Sequence, residues 1–184
     1  LKNPFTFNLW EFHYLNTMYF RLRLIVLLLG IFITGVSGQE TIKETLETLN
    51  KNSIPYISVE ELAKIDEPVL LDTRSKEEFR VSRLKNAIWV GYEDFKAGRV
   101  SRKIKDKKKE LIVYCSVGVR SEVIGDTLKV LGYENVRNLY GGIFEWKNKE
   151  LPVYDRKGMQ TEKVHAFDEY WGKLLKKGEK VYPD

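Results

Sequence analysis

The chain has 184 residues, 43% hydrophobic and 31% charged, with 13 Gly, 5 Pro, one Cys and a formal charge of +5. A chain of this length can bury one core without staples, and its Gly, Pro and aromatic content excludes collagen-like, coiled-coil and disordered classes. The lone Cys115 excludes a disulfide scaffold, one Cys and two His disfavour a Cys/His metal cage while leaving carboxylate sites open, and the modest, dispersed charge gives no sign of a nucleic-acid partner.

The first elements form an address label. Residues 18–38 (MYFRLRLIVLLLGIFITGVSG) place Arg21 and Arg23 before an apolar run from Leu24 to Ile33, with small residues Val36, Ser37 and Gly38 behind it. The apolar part is short of the roughly 20 residues of a membrane span, so a cleaved signal peptide is favoured over a retained anchor. Membrane contact is then confined to export, and the destination is the periplasm or the exterior. Residues 1–17 precede Met18, and the economical reading makes Met18 the initiator and 1–17 an upstream over-extension. Cleavage after Gly38 removes Lys2, Arg21 and Arg23 against Glu11, lowering the net charge from +5 to +3. The compartment is oxidising, which makes a single unpaired Cys noteworthy.

Residues 39–53 are polar and helix-prone, a lead-in to a domain over 54–155. Short apolar runs then alternate with helical patterns, which predicts an α/β fold. Ser58 with Glu61 is a capping box opening a helix to about Ile65, and Ser75 with Glu78 opens another through Phe79. Val69–Asp72, Ala87–Val90, Leu111–Tyr114 and Asn135–Leu139 read as strands. The run from Arg99 to Lys109 reads as a solvated basic connection, or as weak steering for an anion. Val123, Ile124, Thr127, Leu128 and Leu131 recur at helical spacing, with Gly132 as the residue beyond the cap. Gly141-Gly142 precedes a helix carrying Phe144 and Trp146. Residues 156–184 form a C-terminal extension with a helix predicted over about 166–177.

The informative segment is Leu111–Ser121, LIVYCSVGVRS. A buried strand delivers Cys115 to its carboxyl end, where ligands bind in open α/β sheets. Gly118 permits backbone conformations that a side chain obstructs. The loop Ser116, Val117, Gly118, Val119, Arg120, Ser121 can turn successive N–H groups inward as an anion nest at a helix amino terminus. Such a nest lowers a thiol pKa below its free value of about 8.5. The competing reading is an inert, buried Cys.

Here the residues resemble the single-domain rhodanese-like sulfurtransferases. The resemblance runs from roughly Ile57 to Val153 and rests on four segments in order. These are Asp72-Thr73-Arg74 with Glu78-Phe79; Arg83-Leu84-Lys85-Asn86-Ala87-Ile88; the Cys115–Ser121 loop; and Leu139-Tyr140-Gly141-Gly142-Ile143 with Trp146. Arg83 stands where His is usual. The resemblance implies a mainly parallel central sheet flanked by helices on both faces. It also implies a Cys115 persulfide that carries sulfane sulfur from a donor such as thiosulfate to cyanide, sulfite or a thiol, with no metal or organic cofactor. Loop amides would hold the persulfide or the anionic donor.

For Arg120 two roles stay open: support of the thiolate or an anionic donor, and a structural ion pair with a nearby carboxylate. Asp72 is read as bracing the loop, Arg74 with Glu78 as structural, Trp146 as core, and His165 as a surface or partly buried residue outside the chemistry. The fold also resembles cell-cycle dual-specificity phosphatases and certain arsenate reductases. Their loops hold five residues between Cys and Arg, against four here, and the narrower ring suits sulfur better than a phosphoryl group. A non-catalytic binding or sulfur-carrier module is the remaining alternative. The expected partners are a small sulfur donor and acceptor, and a thiol reductant protein that counters over-oxidation.

Overall fold

The computed structural model describes residues 41–183. The expected upstream over-extension 1–17, the expected signal peptide 18–38 and the first two lead-in residues lie outside the described residues. Helix α1 (Ile42–Leu49) follows Thr41, whose hydroxyl accepts from the Glu44 amide while the Glu44 carboxylate accepts from the Thr41 amide. The lead-in is therefore a helix, and it belongs to the core: Ile42, Thr45 and Leu46 are buried.

Then come β1 (Tyr56–Ile57), α2 (Val59–Leu62), β2 (Val69–Asp72), α3 (Lys76–Val81), β3 (Ile88–Trp89), α4 (Ala97–Lys103), β4 (Leu111–Tyr114), α5 (Val119–Val130), β5 (Val136–Leu139) and α6 (Gly142–Asn148). Both capping boxes read from the sequence, Ser58/Glu61 and Ser75/Glu78, are formed. Among the described residues these five strands make one sheet in the order β1-β5-β4-β2-β3, every pairing parallel. Parallel neighbours require crossovers, and the helices supply them.

Alternation along β4 divides the interior in two. Leu111 and Val113 join Val100, Ile124 and Leu128 on one side. Ile112 and Tyr114 join Ile42, Leu46, Ile143 and Phe144 on the other. With helices on both faces, β4 has no wet side, and this explains its unbroken run of apolar residues. The α/β class with a parallel sheet flanked on both faces is the observed fold.

Several elements differ from their sequence reading. Strand β1 has two residues, too few for a periodic signal. Strand β3 is shorter than Ala87–Val90 and half-buried, because it lies at the sheet edge with one neighbour. The basic run is not all connection: α4 takes its first part, burying Val100, and Arg99 donates to the Val90 carbonyl at 2.7 Å.

The largest correction is the extension. Instead of a helix over 166–177 there are β6 (Val153–Tyr154) antiparallel to β7 (Gln160–Thr161), and β8 (Lys163–His165) parallel to β9 (Glu179–Val181), with only a short α7 (Glu169–Gly172) between them. Ala166 donates to the Val181 carbonyl, and the Asp168 carboxylate caps the Trp171 amide, so the helix cannot start earlier. Asn148 then captures the chain, donating to the Leu174 carbonyl and accepting from the Lys176 amide, and Gly178 at φ +89° turns it into β9. Among the described residues no helix is long and apolar enough to cross a membrane.

Candidate active site

Strand β4 ends at Tyr114, and the next residue is Cys115. The carbonyls of Cys115 and Ser116 accept from the amides of Ile143 and Phe144, each at 3.0 Å, so the first turn of α6 holds the loop from outside. Gly142 makes this approach possible: at φ +53° it lies so near that a Cβ would collide with the Cys115 carbonyl oxygen and fall 2.7 Å from that of Ser116. Gly118 at φ +115° caps α5, and its carbonyl accepts from Asn138 at 2.8 Å and Asn50 at 3.1 Å. Its N–H is thereby turned onto the Cys115 sulfur at 3.1 Å.

Cys115 is buried. Burial pushes its thiol pKa up. The Arg120 charge, the Ser121 hydroxyl and the amides of Ser121 and Gly118 outweigh burial, so the thiol titrates below its ordinary value. Ser121 Oγ lies 3.6 Å from the sulfur and 2.8 Å from Asn138 Oδ1. One hydroxyl proton cannot serve both, so the sulfur and the buried Asn138 compete for it.

Arg120 realises the ion pair that one of its two readings expected. Both of its terminal nitrogens donate to Glu78 at 2.8 Å, and Ser116 Oγ lies 2.9 Å from the same carboxylate. Glu78 is buried; burial raises its pKa, but hydrogen bonding and charge from Arg120, with Arg74 and the Ser75 amide, bring it down to about 2. The pair stands at the mouth of the sulfur site, so Arg120 also supplies the charge that favours the thiolate.

Asp72 and Arg74 lie behind the site. They form a fully buried ion pair with 2.6 Å between Arg74 Nη2 and Asp72 Oδ2, and the same nitrogen donates to the Ser82 carbonyl. Between them Thr73 donates its amide and its hydroxyl to the Tyr114 carbonyl, one residue before Cys115. The Asp72 carboxylate thus holds Arg74, and it is Thr73 that ties β2 to the strand end before the loop. Arg74 pairs directly with Asp72, and its charge also reaches Glu78. Arg83 stacks on Phe79 at 4.7 Å and bridges to Tyr154 through its backbone. Trp146 packs against the core and donates to the Pro152 carbonyl.

A cavity of about 220 Å³ opens onto Cys115 between Val117, Val119, Arg120, Phe167 and Trp171. Phe167 and Trp171 come from the extension and were given no role by the sequence, which placed them in a longer helix. Glu78 was read as a helix start and a structural residue, and Asn138 only as a strand residue. His165, read as a surface or partly buried residue, is 8% exposed, and its Nδ1 accepts from the Phe167 amide. Among the described residues no group of three or more His, Cys, Asp or Glu side chains is placed to hold a metal ion.

Comparison with known proteins places the chain among relatives of similar sequence and fold. A tRNA uridine(34) hydroxylase of Hamiltonella defensa is 33% identical over 124 residues, covering 64% of this chain and 34% of that protein. Its namesake in Legionella pneumophila (strain Corby) is 31% identical over 138 residues, covering 72% of this chain and 53% of that protein. The chain thus spans between a third and about half of the length of these relatives. The crystal structure of a thiosulfate sulfurtransferase from Pseudomonas aeruginosa shares the fold, with a TM-score of 0.51 at 22% identity over 66% of this chain and 23% of that one. The family model for the rhodanese-like domain matches residues 58–149, half of the chain and all of the Cys115 loop. The chain belongs to the rhodanese-like domain family.

Proposed function

We propose that the protein is a sulfurtransferase in which Cys115 carries sulfane sulfur as a persulfide. The observation that carries this reading is the Cys115 sulfur facing the Gly118 amide at 3.1 Å, beside Arg120, at the floor of an open cavity. A thiolate held there attacks the outer sulfur of a donor; the donor's sulfur–sulfur bond breaks, and its remainder leaves with the electron pair. An acceptor such as cyanide or a thiolate then takes the terminal sulfur and returns Cys115 to the thiolate. Four residues between Cys115 and Arg120 leave a ring matched to one sulfur atom, which weighs against a phosphatase.

Incubation with thiosulfate at high concentration, or with an organic thiosulfonate, followed by intact-mass measurement tests the proposal. The expected result is a gain of one sulfur atom that cyanide removes and that Cys115→Ser does not show. An unreactive thiol would instead mark a binding module. The 33% identity to a protein named tRNA uridine(34) hydroxylase favours a second reading, chemistry at a tRNA uridine. Unchanged hydroxylation of that uridine in a strain lacking the protein rules it out.

A further inference from the structure

The walls of the sulfur site come from two sources. Val117 and Val119 belong to the loop, whereas Phe167 and Trp171 belong to the extension, beyond the residues that the family model matches. The extension holds them firmly. The Phe167 amide donates to His165, the Asp168 carboxylate caps Trp171, and β8 is paired with β9. Phe167 sits at φ +69°, a left-handed conformation that a bulky residue adopts only where its surroundings impose it. Its ring centroid lies 5.3 Å from the Arg120 guanidinium carbon, and the residue as a whole is 44% exposed.

The polar side chains of the site are already engaged. Arg120 spends both terminal nitrogens on Glu78, and Ser116 Oγ is hydrogen-bonded to the same pair. Beyond Phe167 a second cavity of about 340 Å³, also bordered by Arg120, carries Glu77, Glu93 and Asp94 against Lys76. A small dianion entering here loses hydration, lies near the carboxylates of the adjoining cavity and meets a guanidinium already paired with Glu78. An apolar body gains by leaving water against Val117, Val119, Phe167 and Trp171.

We infer that the aromatic wall built by Phe167 and Trp171 selects an organic sulfur substrate, one whose transferable sulfur is attached to an apolar group, over an inorganic dianion such as thiosulfate. This rests on the persulfide reading and specifies its substrate class. With an aryl thiosulfonate, the Cys115 thiolate forms a bond to the outer sulfur, the bond between that sulfur and the sulfonyl sulfur breaks, and an aryl sulfinate leaves with the electron pair. One negative charge stays on the persulfide and one departs on the sulfinate, and no oxidant or reductant is needed.

The test compares benzenethiosulfonate, methanethiosulfonate and thiosulfate as donors to the full chain, with cyanide as acceptor. Benzene- and methanethiosulfonate share charge and reacting group and differ in their apolar body. The expected result is a kcat/KM at least fivefold higher for benzenethiosulfonate than for methanethiosulfonate, expressed in KM, with thiosulfate poorer than both. Phe167→Ala and Trp171→Ala should reduce that ratio at least threefold, whereas Trp171→Phe should preserve it. Equal KM for the two thiosulfonates, a preference for thiosulfate, or a ratio unmoved in both alanine variants would overturn the inference while leaving the persulfide reading intact. No sulfur transfer from any of the three overturns both.

Discussion

Ser121 shows how much of the chemistry turns on one proton. Its hydroxyl can serve the thiolate or Asn138, but not both at once. Ser121→Ala removes a donor that favours the ionised sulfur, so the pH midpoint for alkylation of Cys115 by iodoacetamide should move upward, toward that of an ordinary thiol. The lost bond to Asn138 should cost about 1 kcal/mol in urea unfolding. A midpoint that stays in place would mean that Arg120 and the amides suffice. Cys115 itself was legible, since a strand ending at a Cys, with Gly and Arg after it, is a local pattern. Glu78 and Asn138 were not. They meet the loop 38 and 20 residues away along the chain, at Ser116 and Gly118 respectively, and no spacing rule connects them.

At the scale of elements, the loop depends on how closely α6 packs against it. Gly142→Ala places a methyl group against the carbonyls of Cys115 and Ser116 while keeping a left-handed backbone. The backbone strain alone is worth about 1–3 kcal/mol, so thermal unfolding should shift down and persulfide formation should slow together. Wild-type rates in a destabilised variant would show that the contact does not shape the loop. Elements whose cause is local were readable: β2 and β4 as runs buried on both faces, α2 and α3 by their capping boxes, and α5 by its period and the turn at Gly132. The extension failed because long-range contacts decide it. Asn148 and the β8–β9 pairing override a helical pattern that is real but short.

For the whole molecule, the family match understates what the site requires. Leu46 of α1 lies before the matched residues, is buried, and sits 3.3 Å from where a Gly118 side chain would begin. Leu46→Ala should cost about 2–5 kcal/mol in urea unfolding and also disturb the pH dependence of Cys115 alkylation. Leu128→Ala, two turns beyond Ser121 within the other core cluster, should cost a similar amount and leave that pH dependence alone. The sheet thus divides labour between its two sides. One compartment gathers the lead-in helix, the α6 turn and the extension around the reactive sulfur, and the other serves as ballast. Redesign for robustness therefore has a free hand among Val100, Ile124, Leu128 and their neighbours, whereas selectivity can be retuned only on the opposite side.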